Sequence, residues 1–176
     1  DLGDGAVITL IGSAIDDDRV RTMVNGLLER NIEGMLVVVA GRNQTLVDTL
    51  RGMRGTNRLE LRVLGFIDFL GDLIAASDLV ITKSGGLITS EVLARGTPLL
   101  IVHPIRGQEE FNADYVTGMG AGVQARTPES VPYMVEAMMR DPERMTSLRV
   151  GAKETGRPLA AMDIAHRVLR DIDALD

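Results

Sequence analysis

The stretch Asp78-Leu79-Val80-Ile81-Thr82-Lys83-Ser84-Gly85-Gly86-Leu87-Ile88-Thr89-Ser90-Glu91 decides the fold. Leu79 to Thr82 is a short apolar and β-branched run, the pattern of a strand buried on both faces. It passes through a glycine turn, Lys83 to Gly86, into a predicted helix from Leu87 to Arg95 that stops at Gly96. Pro98 to Val102 reads as the next buried strand, with proline at its opening position. A polar loop follows, His103 to Gln108, with Glu109, Glu110 and Asn112 at its exit. Strand, helix and strand at this spacing form a βαβ unit, which requires a parallel sheet covered by helices. Two strand ends that each deliver polar groups at a glycine-containing turn also mark a candidate site.

The same alternation continues on both sides. Upstream, Ala6 to Ile11, Met35 to Ala40 and Leu59 to Leu64 are apolar runs bounded by glycine. Between them, Val20, Met23, Val24, Leu27 and Leu28 have the spacing of one helix face within Asp16 to Arg30, as do Leu46, Val47, Leu50 and Met53 after a capping Asn43. A short helix from about Phe69 to Ala76 leads into the central stretch. Downstream, Glu109 to Thr117 is predicted helical and Val123 to Ala125 a sixth strand. Helices over Ser130 to Arg140, Pro142 to Thr155 and Ala160 to Leu175 complete the chain. The fold class is therefore α/β: one Rossmann-like, doubly wound parallel sheet of about six strands in the order 3-2-1-4-5-6. In that order the ligand crevice lies beyond the carboxyl ends of the first and fourth strands, at Gly12-Ser13 and Ser84-Gly85-Gly86.

Composition limits what such a crevice can serve. At 176 residues and 45% hydrophobic, the chain suits a single domain spanning 1–176. It holds no cysteine and only His103 and His166, so thiolate or histidine-rich metal centres are not expected. A formal net charge of -6 argues against a nucleic-acid surface. The local run Arg51, Arg54, Arg58 and Arg62 reads as a solvated face rather than an anionic-partner site. The nine methionines read as core filler. No apolar run approaches the roughly 20 residues of a membrane helix, and the amino terminus lacks a signal-peptide layout. The chain starts at Asp1 with a strand almost at once, which suggests a piece of something longer.

A glycine turn entering a helix offers unpaired amides and the positive end of the helix dipole, an arrangement that favours phosphate. Lys83, Ser84 and Thr89 can add donors. Two adjacent glycines also serve as a tight connection, and both readings stand on these residues alone. Glu91, one turn into the helix, suits ribose hydroxyls, with a capping-box partner as its other reading. Gln108 and Glu109 add an amide and a carboxylate, the pair that discriminates sugar hydroxyls by direction as well as charge. An amide cradle, a ribose acceptor and hydroxyl-reading groups together describe a sugar-nucleotide site.

These residues, with Ala94-Arg95-Gly96-Thr97-Pro98, His103-Pro104-Ile105-Arg106-Gly107-Gln108-Glu109-Glu110 and Asn112-Ala113, resemble the donor half of glycosyltransferase family 28. Within that family they are most similar to processive diacylglycerol glucosyltransferases and monogalactosyldiacylglycerol synthases. Ala40-Gly41-Arg42-Asn43 and Val63-Leu64-Gly65-Phe66 resemble two further family stretches, and the likeness runs from about Ala6 to Ala165. The resemblance implies the carboxyl-terminal half of a GT-B glycosyltransferase that holds a UDP-hexose without a metal or other cofactor. It implies that Gly65, Phe66 and Ile67 flank the uracil, and that Glu91 holds the ribose. It implies that Gly12, Ser13 and Ser84, Gly85, Gly86, Leu87 and Ile88 cradle the diphosphate, while Gln108 and Glu109 face the sugar. Arg42 joins this donor set, with a surface role as its other reading. Asn43 has helix capping and Phe66 core packing as theirs, and for His103 loop support is the expected role in preference to catalysis.

The family's first glycine-rich turn is here Gly12-Ser13-Ala14-Ile15 followed by Asp16, Asp17 and Asp18, carboxylates that must point away from any phosphate. The resemblance places the catalytic base and the lipid acceptor site in an amino-terminal domain preceding Asp1, so that no catalytic residue is expected in this chain. It also implies a cytoplasmic protein with peripheral contact to a membrane. Two other readings stay open: a sugar-nucleotide-binding or regulatory domain without turnover, and a transferase using a polyprenyl-linked or small-molecule acceptor.

Overall fold

A computed structural model describes residues 5–56 and 58–173. The predicted end of the last helix at Leu175 lies outside the described residues. Six parallel strands, β1 (Ala6–Ile11), β2 (Gly34–Val39), β3 (Leu59–Leu64), β4 (Leu79–Thr82), β5 (Leu99–Val102) and β6 (Gly122–Ala125), form one sheet in the order β3-β2-β1-β4-β5-β6. The expected doubly wound order is the one observed.

The helices between them are α1 (Asp17–Leu28), α2 (Gln44–Arg51), α3 (Leu70–Ala75), α4 (Gly86–Ala94) and α5 (Gln108–Gly118). A 3-10 turn (Pro128–Ser130), α6 (Val131–Met139), α7 (Pro142–Thr155) and α8 (Ala160–Asp173) follow. Strand residues alternate between the two faces of the sheet. Ile8, Leu10, Leu36, Val38, Ile81 and Leu100 pack with α1, α2 and α6. Ile11, Val80, Leu99 and Ile101 pack with α3, α4, α5 and α7 on the other face. Burial on both faces explains the unbroken apolar runs of β1, β2, β4 and β5. The edge strand β3 departs from this, with Glu60 and Arg62 turned outward and paired at 2.7 Å.

Element boundaries differ from the sequence reading where polar side chains decide them. Pro98 lacks an N–H and stands just outside β5, although its carbonyl still accepts from Val80 N at 3.0 Å. The predicted helix from Ser130 begins as a 3-10 turn and becomes α-helical only at Val131. At the opening stretch, α4 starts at Gly86, one residue before the predicted Leu87. α5 starts at Gln108, one residue before the predicted Glu109, so Gln108 lies in its first turn and not at the end of the loop. Gly107, at φ 98°, makes the turn, and the Glu110 carboxylate takes the Gly107 N–H at 3.1 Å. Asp78 closes the opposite end of β4, accepting from Val7 N and from Arg149, each at 2.9 Å.

Candidate functional site

Four strand tips meet at the carboxyl edge of the sheet. Gly12 and Ser13 follow β1, Gly41 and Arg42 follow β2, Gly65 to Ile67 follow β3, and Lys83 to Gly86 follow β4. They stand close together: a methyl group on Gly41 would lie 2.8 Å from the Ser13 β-carbon, and one on Gly65 would lie 3.5 Å from the Gly41 carbonyl oxygen. Gly41 is glycine for a second reason, its φ of +62°.

The β4 turn is fixed by α5. Ser84 is fully buried, and its hydroxyl donates to the Glu109 carbonyl at 2.6 Å. The Asn112 amide donates to the Ser84 carbonyl at 2.7 Å. The Ser84 side chain is thereby committed to structure, and what the turn offers an anion is the free main-chain N–H groups at the start of α4. Gly85 is the N-cap residue and has no side chain to cover them. One turn on, the Thr89 hydroxyl is buried and, among the described residues, unbonded. Leu87 is 85% exposed beside the turn.

The first turn of α5 brings a second polar group to the α4 turn. The Gln108 side-chain nitrogen comes within 3.7 Å of where a Gly86 β-carbon would stand, so the sugar-reading candidate abuts the cradle. Glu109 is partly committed, because its Oε2 accepts from Ile105 N at 2.7 Å. Glu91 is exposed, and with Ile88 at the third helical position it is not the partner of a capping box. It lines a groove of about 570 Å³ with Asp68, Leu70, Gly71 and Arg95.

The remaining sequence expectations divide. Asn43 caps α2, accepting from Leu46 N at 3.0 Å and donating to Asp17 at 2.8 Å. The triple aspartate turns to local work: Asp16 caps α1, Asp17 holds Asn43, and Asp18 pairs with Arg21 at 2.9 Å. Core packing for Phe66 is overturned, since the residue is 67% exposed with the Arg42 guanidinium 5.2 Å from its ring centroid. A ring at a strand end carries no periodic signal, so its exposure was not readable from sequence. His103 is exposed at φ 44°, and its pKa is lowered from the ordinary histidine value by slight desolvation of the ring, then by the Arg19 and Lys83 charges. The arginine run is exposed, with Arg58 bound to Asn31 at 2.8 Å and Arg62 to Glu60.

Comparison with known proteins follows from this geometry. Residues 17–163 match the glycosyltransferase family 28 C-terminal domain. The chain belongs to this family. A processive diacylglycerol beta-glucosyltransferase of Bacillus thuringiensis (strain Al Hakam) is 32% identical over 136 residues, 77% of this chain and 35% of that protein. The chain thus spans about a third of the length of the curated relatives it matches. Among solved structures, MurG of Acinetobacter baumannii superposes with a TM-score of 0.81 at 19% identity, over 97% of this chain and 51% of that one. A putative UDP-N-acetylglucosamine 2-epimerase of Listeria monocytogenes gives 0.71 at 19% identity, over 99% and 46%. These likenesses establish the family 28 domain as a Rossmann-like half of the GT-B fold. No helix among the described residues is long and apolar enough to cross a membrane.

Proposed function

We propose that this family 28 domain is the donor-binding half of an inverting hexosyltransferase that uses a UDP-sugar and glycosylates a membrane lipid such as diacylglycerol. The observation that carries the reading is the apposition of Gln108 to Gly86, with Glu91 exposed about one and a half turns into the same helix. A diphosphate on the α4 amides then has a sugar-reading amide on one side and a ribose-reading carboxylate on the other. Phe66 and the main chain of Gly65 and Ile67 supply a surface for the base. The lipid acceptor is inferred from the activity for which the Bacillus relatives are named, as is the peripheral contact with a membrane.

In the proposed reaction the acceptor hydroxyl attacks the anomeric carbon on the face opposite UDP, and the sugar–phosphate bond breaks with inversion. The hydroxyl proton passes to a base in an acceptor domain elsewhere in the full-length protein. The α4 amides and dipole take up the charge developing on the departing diphosphate, so the proposed site calls for no metal. This chain by itself binds donor and transfers little.

The test is thermal stabilisation by UDP-glucose, UDP-galactose and UDP-N-acetylglucosamine, because a ligand of the native state raises its midpoint. At least one is expected to shift it at millimolar concentration. No shift with any of the three, and none with UDP, overturns the donor reading.

A further inference from the structure

Arg42 is placed between two parts of the proposed donor site, yet it is bound to only one of them. It follows Gly41 at the tip of β2, whose neighbours in the sheet are β3, carrying Phe66, and β1, carrying Ser13. Gly41 touches both neighbouring tips, so Arg42 is rooted centrally. Its guanidinium lies 5.2 Å from the Phe66 centroid, and among the described residues it has no ion pair and no side-chain hydrogen bond. An arginine held only by an exposed ring is weakly held, whereas a guanidinium on a phosphate makes short, charge-assisted and often bidentate bonds. The α4 amides follow β4, beyond β1, about two strand spacings or ~10 Å from the β2 tip that roots Arg42, and about three spacings from the β3 tip. A long side chain rooted on the strand between β3 and β1 can serve either side.

We propose that Arg42 is a swinging residue that makes the site selective for nucleotides over nucleosides: it covers Phe66 in the free domain and moves to the diphosphate when donor binds. The proposal rests on the donor reading above. A base alone must displace the guanidinium from the ring and gives it nothing in return. A nucleoside diphosphate displaces it and offers it a better partner.

The test compares UDP and uridine on the whole chain and on Arg42→Ala, Arg42→Lys and Phe66→Ala, using calorimetry for UDP and NMR titration for the weaker uridine. Arg42→Ala is expected to weaken UDP at least tenfold, by an amount that shrinks as salt rises, while uridine binds as before or more tightly. Arg42→Lys should fall between, and Phe66→Ala should weaken both ligands by a similar factor. In the free chain the ring shifts the Arg42 δ-methylene protons upfield, and saturating UDP should remove that shift. Equal weakening of UDP and uridine in Arg42→Ala would make Arg42 a fixed wall of the base slot and overturn the swing. So would an unchanged UDP affinity. Failure of the unaltered chain to bind UDP removes the donor reading and this proposal together; binding without the Arg42 differential removes this proposal alone.

Discussion

The Ser84 hydroxyl donates to the Glu109 carbonyl at 2.6 Å, tying the glycine turn after β4 to the first turn of α5. Two loops that come from different strand ends thereby share one bond, reinforced from the other direction by Asn112 on the Ser84 carbonyl. The proposed phosphate and sugar subsites move as one unit.

Ser84→Ala should therefore act on binding more than on stability. The lost buried hydrogen bond costs about 1 kcal/mol, towards the low end of such losses because the acceptor is a carbonyl already within a helix. UDP-hexose affinity should fall, while UDP affinity falls less, since the slackened element is the sugar-facing one. Equal losses for the two ligands in calorimetry would mean that α5 does not report to the sugar.

Glu91 separates function from folding cleanly. It is exposed and, among the described residues, has no ion pair or side-chain hydrogen bond, so Glu91→Ala should leave the unfolding free energy from urea denaturation within about 0.5 kcal/mol of the parent. UDP affinity should drop by about 1.5–3 kcal/mol, the scale of hydrogen bonds to a charged group. Retained affinity would remove Glu91 from the ribose role.

The capping of α2 makes a stability prediction. Asn43 holds Leu46 N and Asp17 at once, so Asn43→Ala should cost about 1–2 kcal/mol, at or above the usual loss of a cap. Asn43→Asp keeps the cap but places a second carboxylate against Asp17, and its deficit relative to the parent should shrink in high salt. A salt-independent deficit would contradict the contact.

His103 should titrate below the ordinary histidine value, because slight desolvation of its exposed ring and then the Arg19 and Lys83 charges disfavour its protonation. In the window between that lowered value and about 6.5 the unfolded chain binds more protons than the native one. Stability should therefore decline as pH falls through the window and level off beneath it. NMR titration of the His103 ring checks the direction, and Arg19→Ala should raise the midpoint by removing one cation. A midpoint at or above 6.5 would place His103 outside that environment.

Legibility from sequence followed how local the deciding interaction was. β1, β3 and β4 could be bounded at the observed residues because glycine or charged residues stop short apolar runs. The Asn43 cap was readable because its bond partner is three residues away. The start of α5 was not, since it depends on Glu110 reaching back to Gly107 at a positive φ. The fate of Asp17 was hidden for a stronger reason: its partner Asn43 is on another helix and meets it only after β1 and β2 pair. The Arg42–Phe66 contact likewise joins two loops that only the β2–β3 pairing brings together.

Gly151 sets local propensity against packing. It lies inside α7, where alanine is favoured by roughly 1 kcal/mol over glycine. A β-carbon there, however, would overlap the Gly120 carbonyl oxygen and crowd that of Met119, main-chain atoms in the turn that feeds β6. Backbone cannot rotate aside as a side chain can, so the overpacking cost of about 1–3 kcal/mol should exceed the propensity gain. Gly151→Ala is thus expected to lower stability by up to about 2 kcal/mol in urea denaturation. A stabilised variant would mean that α7 stands off the α5–β6 turn far enough to admit a methyl group, and the close approach that fixes these elements beneath α4 would have to be abandoned.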